Sequence, residues 1–207
     1  MPVVHLVRHG QASFGADDYD HLSDLGRAQA VVVGQALATR GLRSPVAVHG
    51  TLRRQRDTAA LALPAVPAQV DGRWDEYDHL DLLKRYATTT EHDGTSRSVQ
   101  VLLDQALSDW VLDGDGTWST FSGGVVDALT DLASGLESGC DAVVFTSGGV
   151  IAALCAHLLG LGADGVVALN RVAVNAAITK LALGRGGTTL MTFNEHGHLD
   201  PASTTFR

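Results

Sequence analysis

The chain has 207 residues, 45% of them hydrophobic and 18% charged, and its fifteen Lys and Arg stand against twenty-three Asp and Glu for a formal charge of −8. That length buries a core without disulfide staples, and the composition excludes a disordered, fibrous or coiled-coil chain. The acidic balance argues against nucleic acid or an anionic membrane surface as partner, so an anionic ligand has to be drawn in by a local basic cluster.

The first apolar run, Val3 to Val7, is rich in β-branched residues and reads as a buried strand ending at Arg8-His9-Gly10. A polar stretch, Gln11 to His21, follows as a loop. Ser23 is a candidate N-cap for a helix whose apolar residues Leu25, Ala28, Val32 and Leu37 recur at helical spacing until Gly41. Val46-Ala47-Val48 repeats the strand pattern and ends at His49-Gly50, and Leu52 to Leu63 repeats the helix before Pro64 stops it. From Arg85 to Arg97 the chain is polar and reads as a loop or cap, followed by helices over about Ser98–Leu112 and Ser122–Glu137.

Asp141 to Phe145 is a third buried strand, Thr146-Ser147-Gly148-Gly149 a tight turn, and Val150 to Leu161 a helix. The apolar stretch from Gly148 to Leu169 is broken by glycines, His157 and Asp164, and reads as a buried helix plus loop, not a membrane span. Ala176 to Leu183 and Thr188 to Phe193 flank Gly184-Arg185-Gly186-Gly187 as a hairpin. Strands alternating with helices predict an α/β fold: a three-layer sandwich, its central sheet mostly parallel with an antiparallel edge and helices on both faces. Residues 1–207 are expected to form a single domain, with 77–140 containing a cap or insertion over the active site. Two cysteines, Cys140 and Cys155, and no apolar leader at the start predict a cytoplasmic protein with reduced thiols.

In an open α/β sheet, ligands bind beyond the carboxyl ends of the strands. Three such ends carry chemistry here: Arg8-His9-Gly10, the basic helix start that runs from His49 to Arg56, and the Gly-rich turn Thr146–Gly149. Guanidinium groups, an imidazole and backbone N–H groups at a helix N-terminus together describe a phosphate pocket. Arg53, Arg54 and Arg56 cannot all point one way, so at least one belongs to a solvated helix face.

These stretches resemble the histidine phosphatase superfamily, also called the phosphoglycerate mutase-like family, over nearly the whole chain. The residues that carry the resemblance are Leu6-Val7-Arg8-His9-Gly10, Leu22-Ser23 with Gly26 and Gln29-Ala30, and Leu52 to Ala59. Further matches are Trp74-Asp75-Glu76, Ser147 to Ile151 with His157 to Gly160, Asn175 to Ile178, Phe193-Asn194 and His198-Leu199. The resemblance implies transfer of a phosphoryl group to His9. It implies Glu76 as the acid that protonates the leaving oxygen, with Asp75 and Asp78 as rivals, and Arg8 and Arg54 as the phosphate clamp. Arg54 is preferred over Arg53 and Arg56 because Thr58 follows it at the family's Arg-x-x-x-Thr spacing.

Neutral imidazole is a competent nucleophile near pH 7 when its other nitrogen donates to a carbonyl, and a forked guanidinium suits a phosphoryl group as its charge spreads. Gln11, Ser147 and Gly148 are expected to help bind the substrate. Two positions depart from the family's pattern. Ser147 stands where most members have a second His, and Gly15 where many have an Asn. The first removes a cationic donor and predicts slower turnover, with His49 as a speculative substitute.

The expected activity is therefore metal-independent phosphomonoester hydrolysis through phospho-His9, without a cofactor, on a small phosphorylated molecule. The alternatives are a mutase-type phosphotransferase and a feebly active phosphate-binding regulatory module. A homodimer stays open. His196-Gly197-His198 invites a metal reading that no Cys or carboxylate spacing completes. His157 is expected to be a satisfied core histidine, and Trp74, Trp110 and Trp118 to pack.

Overall fold

A computed structural model describes residues 1–13, 20–87 and 96–206, with only the backbone of 96 and 97. Its sheet has six strands: β1 (Val3–Arg8), β2 (Val46–His49), β3 (Ala68–Val70), β4 (Ala142–Thr146), β5 (Ile178–Gly184) and β6 (Gly187–Glu195), in the order β3-β2-β4-β1-β5-β6. β1, β2, β3 and β4 are parallel, and β5 and β6 run antiparallel along one edge. This is the expected mixed sheet. Gly187, at φ 115°, supplies the left-handed residue that the β5–β6 turn requires.

Side chains of a strand alternate between faces, and each face buries its own core. Val143 and Phe145 of β4 pack with Val7 against Val33 and Leu37 of α1 (Asp24–Ala38) and Ala59 and Ala62 of α2 (Arg53–Ala62). Val144 packs with Val4 and Leu6 on the opposite face, against α5 (Thr117–Gly135) and α6 (Gly148–Leu159). α1 begins where the N-cap was expected: Ser23 Oγ accepts from Gly26 N–H at 3.0 Å.

The middle of the chain differs from the expectation in detail. α3 (His79–Tyr86) takes in Arg85 and Tyr86, and Asp78 caps it by accepting from the N–H groups of Leu80 and Asp81. A cap of this kind and the apolar Leu82, Leu83 and Tyr86 were legible, but one turn of pattern beside a polar stretch carries little periodicity. α4 spans Ser96–Leu112, and α5 starts at Thr117, five residues before the expected start. The supposed loop after α6 is instead a second helix, α7 (Ala163–Val172), because Gly160 closes α6 in the left-handed conformation and lets the chain restart at Gly162. Leu82, Leu107, Trp110, Val166 and Val167 join α3, α4 and α7 in a third core. His157 is exposed and not a core histidine. Trp110 and Trp118 pack edge to face, with ring centroids 5.0 Å apart.

Among the described residues, no helix is long and apolar enough to cross a membrane. Gly15 and residues 88–95 of the polar stretch lie outside the described residues.

Candidate active site

Parallel pairing brings the three chemistry-bearing strand ends to one rim. Arg8 of β1 is in register with Thr146 of β4, and His49 of β2 with Phe145. Beyond that rim lies a cavity of about 340 Å³ whose lining includes Arg8, His9, Arg54, Glu76 and Gly148.

His9 is 4% exposed, and its backbone is fastened from both sides. Its N–H donates to the Thr146 carbonyl at 2.8 Å, and its carbonyl accepts from Asn175 Nδ2 at 3.2 Å. Its ring Nδ1 lies 2.7 Å from the Gly10 carbonyl, and Arg54 Nε donates to its Nε2 at 3.2 Å. A carbonyl can only accept, so Nδ1 carries the hydrogen and Nε2 presents its lone pair. Burial, followed by the cationic Arg54 and Arg8, holds the His9 pKa well below the ordinary imidazole value, against the Gly10 hydrogen bond that raises it. The ring is neutral near pH 7.

Arg54 is 8% exposed and lines the cavity, whereas Arg53 and Arg56 are exposed and do not. Helical spacing puts Thr58 one turn on: its Oγ1 donates to the Arg54 carbonyl at 2.6 Å and accepts from Gly10 N–H at 3.1 Å. α2 and the His9 loop are thus tied by one hydroxyl. The Arg54 Nη1 also meets Asp20 Oδ1 at 2.8 Å, and Asp20 Oδ2 accepts from Arg53 N–H at 2.7 Å. Asp20 was not expected here; its signal was an acid facing the N-terminus of a basic helix, which needs the fold to be seen. Arg8 donates from Nη1 to the carbonyls of Ala173 and, at 2.9 Å, Phe206.

Glu76 reaches the site from the segment after the 3-10 turn Gly72–Trp74. Its Oε2 accepts from Gly149 N–H at 3.0 Å. Position 149 has to be glycine, since a Cβ there would sit 2.2 Å from Glu76 Oε1 and 2.3 Å from the Tyr77 ring. Desolvation pushes the Glu76 carboxyl above its ordinary range, opposed by the Gly149 N–H, Arg54 and Arg8. The rivals are engaged elsewhere. Asp75 accepts from the N–H and hydroxyl of Thr51, and Asp78 caps α3.

Gln11 and Ser147 are not among the residues lining the cavity. The Gln11 amide oxygen accepts from Ser23 Oγ at 2.8 Å, which turns the side chain toward the start of α1. Ser147 is fully buried, and its Oγ accepts from Gln55 Nε2 at 2.8 Å; the same amide donates to the Trp74 carbonyl at 3.0 Å. Gln55, itself 0% exposed, fills the space beside Ser147, and its oxygen is accommodated because position 50 is glycine, where a Cβ would lie 2.1 Å away. His49 turns its Nδ1 to the Gly50 carbonyl and does not line the cavity either. Among the described residues, no cluster of three or more His, Cys, Asp or Glu is arranged to hold a metal ion.

The family model of the histidine phosphatase superfamily (branch 1) matches residues 4–196. The chain belongs to that superfamily. Solved structures similar to this histidine phosphatase include a mutant phosphoserine phosphatase of Entamoeba histolytica in complex with phosphoserine. It is 19% identical with a TM-score of 0.72, and the match covers 96% of this chain and 100% of that one. YhfR of Bacillus stearothermophilus is 16% identical with a TM-score of 0.72, covering 96% and 99%. A mycobacterial glucosyl-3-phosphoglycerate phosphatase complexed with VO3 is 22% identical with a TM-score of 0.64, covering 95% and 100%. A comparison with curated protein sequences gives no significant match. These likenesses extend the fold over almost the whole histidine phosphatase chain, and the family membership makes it an enzyme of this type.

Proposed function

We propose that the protein is a phosphomonoester hydrolase that works through a phosphohistidine on His9. The observation that carries this reading is the pair of contacts on one ring: Nδ1–H is held by the Gly10 carbonyl, and the Nε2 lone pair accepts from Arg54 Nε at the cavity wall. A buried imidazole kept neutral beside two guanidinium groups is a nucleophile aimed at an anion.

In the first step, Nε2 attacks phosphorus and the bond from phosphorus to the ester oxygen breaks. Arg54 and Arg8 face the equatorial oxygens, whose charge they stabilise as it spreads, and Glu76 gives its proton to the departing alkoxide. In the second step, the Glu76 carboxylate takes a proton from water as that water attacks the phosphohistidine, releasing inorganic phosphate and returning His9 neutral. Atoms and protons balance with water as the sole co-reactant. The segment 77–140 serves as the cap: its helices α3 and α4 supply Leu80, Leu83, Val99 and Leu103 to the outer wall of the cavity. The substrate is a small phosphorylated molecule.

The test is rapid quench with a labelled phosphomonoester. The wild type is expected to carry label that is stable in base and lost in acid, and His9→Ala is expected to carry none and to release no phosphate. Label or steady phosphate release surviving in His9→Ala overturns the reading. Recovery of the label in an isomeric ester, in place of inorganic phosphate, replaces hydrolysis with a mutase reaction.

A further inference from the structure

Resting on the phosphatase reading, we infer that the group esterified to the phosphate is uncharged and largely apolar. The cavity has two halves of different chemistry. Its inner half is the ionic set Arg8, His9, Arg54 and Glu76, which is matched to a phosphoryl group and fully used by it. Its outer half is led by the apolar Leu80 and Leu83 of α3, Val99 and Leu103 of α4 and Phe206 of the C-terminal segment, with His79, Gln100, Asn170 and Arg171 also on its lining.

Two of these are costly to leave as they are. Leu80 is 58% exposed and Phe206 55% exposed, and both border the same opening. Apolar surface gathered at the mouth of a site gains from being covered, in proportion to the apolar area removed from water. Phe206 is not a loose end, because the backbone just before it is tied down: Asn175 N–H donates to the Thr205 carbonyl at 2.8 Å, and Gln29 Nε2 donates to Ser203 O at 2.7 Å and to Thr205 Oγ1 at 2.9 Å.

Among the described residues, the outer half offers a carboxylate-bearing ester few cations, the imidazole of His79 and the guanidinium of Arg171. Beyond Arg8 and Arg54, Arg171 is the one arginine or lysine among the described residues that line the cavity. Its Nε and Nη2 both lie on Asp104 Oδ2, at 2.8 and 2.7 Å, and Gln100 Nε2 donates to the other oxygen of that carboxylate at 2.8 Å. Asp104 is 8% exposed, so drawing Arg171 away toward a ligand would strand a buried charge. A phosphate ester carrying its own carboxylate therefore meets mainly leucine, valine and phenylalanine at the opening, which an apolar group covers and a carboxylate leaves in water.

The experiment compares benzyl phosphate with phosphoserine. Both are primary alkyl esters, so the comparison reads the pocket and not the leaving oxygen. The wild type is expected to favour benzyl phosphate in kcat/KM by at least about tenfold, and the exposed-site substitution Leu80→Lys to lower that ratio by about tenfold or more. Binding of benzylphosphonate against 3-phosphonopropionate, followed by calorimetry, reads the same preference without turnover. Equal or better hydrolysis of phosphoserine, tighter binding of the carboxylate-bearing phosphonate, or a ratio untouched by Leu80→Lys overturns the inference and leaves the phosphatase reading standing. No phosphate from either ester, with benzylphosphonate still the tighter ligand, overturns the phosphatase reading and upholds the apolar outer site.

Discussion

Arg54 Nε donates to His9 Nε2 at 3.2 Å, so the guanidinium rests on the lone pair that the proposed mechanism uses for attack. The contact has two effects at once: it orients the ring, and its positive charge adds to burial in keeping the ring unprotonated. On the proposed mechanism, phosphate oxygens take over the hydrogen that covers this lone pair, so that nucleophile release and phosphate binding become one event.

Removal of that guanidinium separates the two effects. Arg54→Gln is expected to lower kcat/KM by about 10²- to 10³-fold, as the loss of a preorganised charged donor does elsewhere. It is also expected to move the acid limb of the pH profile to higher pH, because one of the cations that depress His9 is gone. A profile of kcat/KM against pH on both proteins checks the two together; a lower rate with an unmoved acid limb would contradict this account.

Glu76 has the opposite displacement from His9. With its carboxyl raised and the imidazole lowered, the productive state, acid protonated and base neutral, is favoured toward lower pH and declines as Glu76 ionises. Glu76→Gln is expected to cost about 10²- to 10⁴-fold in kcat on alkyl phosphates. On a 4-nitrophenyl ester, whose phenolate leaves without a proton, the loss of phosphorylation rate is expected to be much smaller. Pre-steady-state rates on the two esters measure the difference.

Gln55 and Ser147 share one volume, and this governs any attempt to restore the family's more usual His. Ser147→His alone is expected to lose about 1–3 kcal/mol of stability through overpacking against Gln55, without a gain in rate. Combined with Gln55→Ala, which clears the space, it is expected to recover stability and to raise turnover above wild type. Chemical unfolding and kcat on the two single variants and the double variant form the cycle that checks the coupling.

His5 predicts how the fold behaves in acid. Burial, then Arg40 and Lys180, brings its pKa down to about 4, and its Nδ1 has no hydrogen-bond partner among the described residues. Below pH 6.5 the unfolded chain takes up a proton that the folded chain refuses until about pH 4, so stability falls as pH falls through that window. The loss at pH 5 amounts to about 2 kcal/mol relative to pH 7 from this group. His5→Leu is expected to flatten the dependence by that amount in urea unfolding at the two pH values.

Much of this was legible in the residues. Arg8-His9-Gly10 after a β-branched run, Arg54 with Thr58 one turn later, and glycines at 148 and 149 after another apolar run are local patterns, and local patterns report local backbone geometry. The Ser23 cap and the strand ends followed for the same reason. Gln55 and Asp20 were missed because neither carries a local signature. One matters through a residue 92 positions away and the other through a helix 34 positions away, and such partners exist only after the strands have paired.

The sequence alone was enough for the type of fold and for naming His9 and Arg54 as the residues that the fold brings together at one rim, since hydrophobic period, strand-end chemistry and helical spacing are all properties of neighbouring residues. Only the tertiary structure decided that Glu76 and not Asp75 or Asp78 meets the pocket, that Ser147 is sealed behind Gln55, and that leucines and a phenylalanine ring the opening. Those depend on which side chains the sheet and its covering helices bring within a few ångströms, and burial, which sets the charge states of His9 and Glu76, does not exist until the chain has folded.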